Sequence, residues 1–331
     1  MSPLQVWLVT RQEFRIRLRT GRWRWLMGLW VLLLLAVTLL LDASLYTGYG
    51  RTQDNSLRGV PLFGFLMYFI LGMMLVISPA LTSQTINGDR ERGTLATLQV
   101  TRLAPLEIAL GKLLAGWAVG LVALALSLPF AGYAMSQGGI TVGRIAATYG
   151  VVGLLIGVVC AVSQALSAVL ARSITSALLS YMTVAALAVG TVVAFGLIVP
   201  LTRQAMVVRQ PGYESYTTYP EHTERVWWIL APNPFVVLAD SAPRAPRRYV
   251  LNGDVYYEED YDPLSQISNS VRRLRHAPQV YYTGPEPSTE DLPVWPYGLG
   301  FNLLLGIGAV AVTTARLRTP TRRLARGVRV A

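Results

Sequence analysis

Charged side chains that could take part in recognition are concentrated in one short segment, Asn87–Lys112, which lies between two long apolar runs. Arg90, Glu91 and Arg92 follow one another within it. The segment is far too short to form a soluble domain, because domains need at least about 50 residues. It therefore predicts a loop held at a membrane surface. Its adjacent charges of both signs are suited to orienting a partner protein rather than to bond making or breaking.

Residues for metal or nucleotide chemistry are missing from the sequence. His222 and His276 are its two histidines, and a single cysteine adds nothing to them, so no His/Cys cluster can hold a metal. The Gly111-Lys112 pair is followed by Leu113 and lacks the upstream glycine of a phosphate-binding loop. A clustered catalytic set at membrane depth, as an enzyme acting on lipid needs, is also missing. We therefore expect no enzyme activity and no cofactor on this chain.

The remaining sequence has the composition of a membrane protein. Of its 331 residues, 53% are hydrophobic and 14% are charged, whereas soluble domains have about 25% charged residues. Six uncharged runs are each long enough to cross a bilayer, which takes about 20 apolar residues. They lie in Trp25–Leu41, Gly59–Gly88, Leu113–Gly143, Ile145–Ala171, Ser173–Thr202 and Leu292–Ala315. The runs lack the alternation of barrel strands, so they predict an all-α polytopic membrane protein with six transmembrane helices.

The N-terminal residues 1–24 form a basic arm. We expect Pro3–Arg22 to be an amphipathic helix on the inner membrane surface, with Trp7, Phe14 and Leu18 on one face. The alternative is a basic arm that only sets the topology. A cleaved signal peptide is a further alternative for the arm and the first apolar run, but that run is longer than the apolar core typical of such peptides.

Charge asymmetry predicts the orientation of the chain. Six spans place both termini on the same side as the loop 87–112. That side has a net charge of +13 and the opposite side −2, which together give the formal charge of +11. Because loops rich in Lys and Arg stay in the cytoplasm, both termini and the loop are predicted to be cytoplasmic. The basic excess then faces lipid, and we expect no nucleic-acid partner.

A long extracytoplasmic loop, residues 201–293, is predicted between the fifth and sixth helices, and the first five helices occupy residues 25–200. Within the loop, residues 226–239 are apolar but too short to span, and two prolines interrupt them. Interfacial or re-entrant packing is therefore predicted for this segment. Residues 294–315 form the sixth helix, and residues 316–331 form a cytoplasmic Arg-rich tail.

Glycine and proline positions predict how the spans pack. Gly116 and Gly120 form one pair four residues apart, and Gly153 and Gly157 form another. Such pairs allow two helices to approach closely in lipid, so we expect most of them to serve internal packing. Pro129 lacks a backbone N–H and is predicted to bend or end the third helix.

The charged loop resembles a known family. Glu91–Leu95 reads Glu-Arg-Gly-Thr-Leu, and Leu98 follows one turn later. This is similar to the signature of ABC-2 type transporter permeases, in which such a sequence follows the second span and a Gly-Lys pair opens the third. Gly111-Lys112 matches that pair, and the six-span topology matches as well. Two departures are Ala96, where the family often has an acid, and an outer segment longer than in compact members.

The resemblance implies a membrane-spanning permease subunit of an ATP-binding-cassette exporter in the plasma membrane of a bacterial cell. It also implies a second permease half, identical or different, and a separate ATPase subunit that binds ATP and Mg²⁺. The loop would dock on that ATPase as a coupling helix. The residues expected to couple are Arg90, Glu91, Arg92, Gly93, Thr94, Leu95 and Leu98.

Their residue types fit such a docking loop. Gly93 can end a turn, Thr94 can N-cap the next helix, and Leu95 with Leu98 can give that helix an apolar side. The three charged residues before Gly93 can orient docking. The alternative function is a non-transporting assembly or scaffold subunit whose outer loop binds a partner.

Overall fold

Among the residues that the structure describes, six helices of the computed structural model are long and apolar enough to cross a membrane, as the sequence predicts. They are Trp23–Tyr46, Gly59–Glu91, Pro105–Ser136, Val142–Val169, Ser173–Thr202 and Trp295–Leu317. The structure describes residues 2–19, 21–48, 58–95, 103–208, 215–244, 247–251, 254–258, 262–277 and 293–318.

The chain divides into two compact units. The first unit is Met1–Val184 with Asn302–Ala331, and the second unit is Ala185–Phe301. The helices are α1 (Pro3–Arg19), α2 (Gly21–Gly48), α3 (Gly59–Thr82), α4 (Asn87–Glu91), α5 (Pro105–Ala125), α6 (Leu128–Ser136), α7 (Val142–Val169), α8 (Ser173–Ala185), α9 (Thr191–Ile198), α10 (Pro234–Ser241), α11 (Pro263–Arg273) and α12 (Trp295–Leu317). The strands are β1 (Met206–Val208), β2 (Tyr216–Thr218), β3 (Arg247–Leu251) and β4 (Asp254–Glu258).

Helix α3 lies at the centre of the first unit, where it packs against α5 and α7. Its apolar residues are buried on several sides, among them Phe63, Leu66, Ile70 and Met74. A helix that is apolar all round is typical of a position with neighbours on every side. The core of the first unit is therefore the three-helix contact of α3, α5 and α7.

The paired glycines lie at the contact between α5 and α7. A Cβ atom added at Gly120 would be 2.7 Å from a methyl carbon of Ile156, and one added at Gly157 would be 3.2 Å from the Trp117 ring. Both approaches are closer than ordinary van der Waals contact. These glycines therefore serve internal packing, as the sequence predicts.

The third span begins earlier than predicted and is interrupted where predicted. Pro105 opens α5, and the carboxylate of Glu107 accepts the Ala104 N–H at 2.9 Å, which closes a capping arrangement. This cap moves the helix start from Leu113 back to Pro105. The helix ends at Ala125, and α6 begins at Leu128, after two intervening residues, with a proline in its first turn. Because that proline cannot donate to the preceding turn, the break is the predicted one.

Helix α1 ends at Arg19 and packs against the start of α5. Val9 and Thr10 face α5 and are buried, and the Thr10 hydroxyl donates to the Gly111 carbonyl at 3.2 Å. Trp7, which the sequence places on the membrane-facing side, is 60% exposed. The side chain of Leu18 lies outside the described part. Helix α1 therefore turns Val9 and Thr10 toward α5 and leaves Trp7 exposed.

Substitution of Gly111 by alanine is expected to loosen α1 from α5. The new Cβ atom would lie 2.6 Å from the Cβ of Val9, a stiff neighbour, so the helices must separate. Overpacking of this kind typically costs about 1–3 kcal/mol. Hydrogen–deuterium exchange should show faster uptake in α1. The control is Gly132→Ala, where an added Cβ atom meets nothing within 4 Å; unchanged uptake in both variants would contradict the close approach.

The second unit is folded, although the sequence predicts only a loop with one apolar segment. In its described residues, β1 pairs with β2 and β3 pairs with β4, both antiparallel. The apolar segment forms a short turn of 3-10 helix and then α10, which packs against α11. The shared core consists of Leu230, Ala231, Val236, Val271 and Val294. The proline-interrupted segment therefore supplies the core of this unit.

The fifth span contains a π-helical segment, Ala186–Gly190, between α8 and α9. A π-helical turn leaves a carbonyl without its usual α-helical partner. The buried side chain of Asn233 donates to the Ala188 carbonyl at 2.8 Å and to the Thr191 hydroxyl at 2.9 Å. The same side chain accepts the Phe235 N–H at 2.9 Å and so caps α10. Asn233 thus joins the π-helical segment to the core of the second unit.

Candidate functional site

The segment between the second and third spans leaves α3 by a turn and enters α4. After α4, Gly93 has a φ of +70°, in the left-handed region that glycine adopts without strain. The chain reverses there, and the Thr94 hydroxyl donates to the Asp89 carbonyl at 3.3 Å. Gly93 therefore ends the helix as its type predicts, and Glu91, Arg92, Gly93 and Thr94 form an exposed turn.

Hydrogen bonds with three serines hold this segment to the fourth and fifth spans. The Ser167 hydroxyl on α7 accepts the N–H groups of Ile86 and Asn87, each at 3.1 Å. On α8, Ser176 donates to the Ser83 carbonyl at 2.8 Å, and Ser173 donates to the Glu91 carboxylate at 2.6 Å. Glu91 is thus tied directly to the first turn of the fifth span.

A buried ion cluster holds the same segment to α5 and α1. The Lys112 ammonium group pairs with the carboxylates of Asp89 and Glu13, and its side chain is only 1% exposed. Arg92 pairs with Asp89 at 3.0 Å from the solvent side. Two acids and two bases therefore balance one another. One buried ammonium joins α4, α5 and α1.

The Gly111-Lys112 pair has a physical role in this arrangement. Gly111 lets the backbone of α1 approach α5, and Lys112 then reaches the acid that α1 carries, Glu13. A lysine ammonium is a compact charge that fits between two carboxylates, whereas a guanidinium is broad and planar. Burial of an ion cluster is tolerated only when every charge has its partner. The pair therefore sets both the spacing and the charge balance of the α1–α5 contact.

Comparison with known protein families gives a match over much of the chain. Residues 7–238 match the family described as ABC-2 family transporter protein, over more than half of the chain. The chain belongs to this family. It is a multi-pass membrane protein and a membrane permease component of an ABC transporter, so an ABC ATPase partner is implied in general terms. A search of curated proteins gives no match.

The residues predicted to couple this ABC-2 permease to an ATPase fall into two groups. Glu91, Arg92, Gly93 and Thr94 are exposed, and Arg90 is half-buried. Leu95 instead is 2% exposed and packs in a cluster with residues of its own chain. The other members are Ile86, Ile108, Ala109, Ala168 and Leu317. Leu95 therefore anchors the loop to the ABC-2 bundle instead of facing a partner, and Leu98 lies outside the described residues.

Sequence reasoning about this permease missed the ion cluster. Glu13 was expected to be only part of the basic arm, and Asp89 and Lys112 only part of a charged loop. A signal was present: Lys112 is the one lysine among 29 basic residues. Where arginine serves at every other basic position, a single lysine indicates a site that needs the smaller ammonium group.

Proposed function

We propose that this chain is the transmembrane subunit of an ABC exporter whose exposed turn, Glu91–Thr94, docks on a separate cytoplasmic ATPase. The observation that carries the proposal is the buried Lys112 cluster, because it fixes a solvent-exposed charged turn to the helices that must move. ATP and Mg²⁺ would bind the partner ATPase. Both termini and the turn would be cytoplasmic, as the charge asymmetry of the sequence indicates.

The contacts of the turn suggest how a push from the ATPase would spread. Glu91 is bonded to Ser173 at the base of the fifth span, and Asp89 is paired with Lys112 in the third. Motion of α4 would therefore reach two spans through polar contacts, and α1 through Glu13. We propose that a second permease half, identical or different, forms the transport path with this one.

Gly93 offers a direct test of the docking turn. Substitution by valine is expected to strain the backbone, because a β-branched residue at positive φ costs about 1–3 kcal/mol. No atom lies within 4 Å of an added Cβ, so packing should not change. With its partner ABC ATPase, Gly93→Val should lose most of the ATP hydrolysis that the permease stimulates, while the chain still folds and inserts.

Gly93→Asn is the matched control, because asparagine tolerates the left-handed region. It should keep most of the stimulated hydrolysis. Equal activity of the two variants would remove the turn from the proposed docking site. Failure of the purified wild-type chain to bind that ATPase would overturn the proposal as a whole.

The scaffold function remains the second candidate, and the folded second unit is the observation that favours it. A unit with its own core holds its two strand pairs in place, and their surface would bind the partner. This function predicts the opposite pattern: variants of the second unit abolish activity, while Gly93→Val has no effect.

A further inference from the structure

A groove with a volume of about 610 Å³ lies between α1 and α5. Val6 and Trp7 line it on α1, and Leu114, Ala118 and Leu121 line it on α5. The three α5 residues are spaced four and three apart, so they lie on one face over about 10 Å of the helix. The groove therefore runs along the third span, from its contact with α1 to Leu121.

The groove is lined mostly by apolar side chains, and the donors of Thr10 and Trp117 are already bonded within the chain. The Thr10 hydroxyl is bonded to the carbonyls of Val6 and Gly111. The Trp117 indole N–H donates to the Gly153 carbonyl at 2.8 Å. The groove therefore favours an occupant that is apolar where it meets these side chains, since a buried polar group without a partner is costly.

The apolar lining of this groove favours a hydrocarbon chain as its occupant. A second groove of about 360 Å³ shares Leu114 and Trp117 as its wall and continues between α7 and α12. Two apolar grooves on either side of one wall match a molecule with two acyl chains.

Positive charge follows the groove-lining residues of α1 along that helix. Arg11 follows Trp7 by one helical turn, Arg15 follows by another, and both are exposed. The one acid of α1, Glu13, is paired with Lys112. The basic face of α1 thus has no carboxylate of its own helix to neutralise it, and it complements an anionic headgroup.

We propose that an anionic phospholipid binds here, with its acyl chains in the two grooves and its phosphate at Arg11 and Arg15. The site requires only that the helices span a membrane and does not depend on the direction of transport or on the ATPase. Because Glu13 on α1 pairs with Lys112 on α5, a lipid bound to α1 would also stabilise this ion pair.

Native mass spectrometry of the delipidated full chain in detergent tests this. Dioleoylphosphatidylglycerol and dioleoylphosphatidylcholine are titrated separately. We expect one tightly bound phosphatidylglycerol, with weaker binding of phosphatidylcholine. Arg11→Gln should weaken phosphatidylglycerol binding about fivefold, the effect of one arginine near an anionic lipid. The matched control is Arg172→Gln, which removes an exposed charge from the turn between α7 and α8 and should change nothing.

A second variant tests the groove itself. Ala118→Trp fills it and should weaken phosphatidylglycerol binding by at least the same factor, while Arg11→Gln, an exposed position, keeps the test valid if the tryptophan variant misfolds. Equal binding of both lipids to the wild type, or unchanged binding by Arg11→Gln, would overturn the proposal. A disulfide-linked dimer of Ala118→Cys without bound lipid would also overturn it, because it would place a second copy in the groove.

Discussion

Replacement of Lys112 by methionine is expected to lower the free energy of unfolding by about 3–5 kcal/mol, the usual cost of breaking a buried ion pair. The methionine fills much of the space but leaves the carboxylates of Asp89 and Glu13 facing one another without the ammonium between them. Thermal unfolding of the purified chain in detergent measures the loss. Stimulation of the partner ATPase should fall with it, since α4 would no longer be fixed to α5.

Arg92→Met is the matched control for this prediction. Arg92 pairs with the same Asp89, but its side chain is 67% exposed. Exposed pairs contribute at most about 1 kcal/mol, so Arg92→Met should leave the unfolding temperature nearly unchanged. It should nevertheless weaken ATPase docking if the exposed turn is the docking site. Similar losses of stability in both variants would contradict the buried role of Lys112.

A double variant separates charge from packing. Asp89→Asn combined with Lys112→Met removes one acid together with the base, so it should be more stable than Lys112→Met alone. The interaction energy between neighbours of this kind is typically about 0.5–3 kcal/mol. A double variant that loses the sum of the two single losses would show that Asp89 and Lys112 act independently.

The sequence predicts those features of the fold that depend on local composition. The six spans follow from runs of apolar residues, and the break after Ala125 follows from the missing N–H of Pro129. Gly93 ends α4 because its conformation is a local property. Each of these predictions uses residues that are close together in the chain.

Features that join distant residues could not be predicted in this way. Glu13 meets Lys112 across 99 positions of the sequence, and only the packing of α1 on α5 brings them together. Leu95 is a similar case. A leucine in a short helix fits a partner's cleft and its own bundle equally well, and contacts with Ile86, α5, α7 and α12 decide between them. The second unit was missed because its short strands and helices are stabilised mainly by one another.

Removal of the Asp240 carboxylate in the second unit is expected to cause the other large loss of stability. Its side chain is fully buried and accepts hydrogen bonds from Arg272 at 2.5 Å and from the Ser268 hydroxyl at 2.8 Å. It also accepts the N–H groups of Val294 and Trp295, at 2.6 and 2.7 Å. One carboxylate therefore binds α11 and caps the start of α12, where negative charge also stabilises the helix dipole.

Asp240→Ala should destabilise the second unit by about 3–5 kcal/mol, because it removes the carboxylate that neutralises the Arg272 guanidinium and takes the acceptor from the N–H groups of Val294 and Trp295. Limited trypsin digestion should then cleave at Arg272 and Arg273, which lie in α11 of the folded unit. Glu221→Ala is the control. Its ion pair with Arg203 is exposed, so its loss should lower the free energy of unfolding by less than about 1 kcal/mol. Equal digestion of both variants would contradict the central role of Asp240.

Asp240→Asn distinguishes the charge of this group from its shape. The amide keeps the volume and one accepting oxygen, so it can still bond either the α12 amides or the side chains of α11, but not all of them. It also removes the charge that balances Arg272. If Asp240→Asn loses nearly as much stability as Asp240→Ala, the ionic pairing with Arg272 dominates. If it retains most of the stability, the cap on α12 dominates, because a neutral oxygen is enough to accept those two N–H groups.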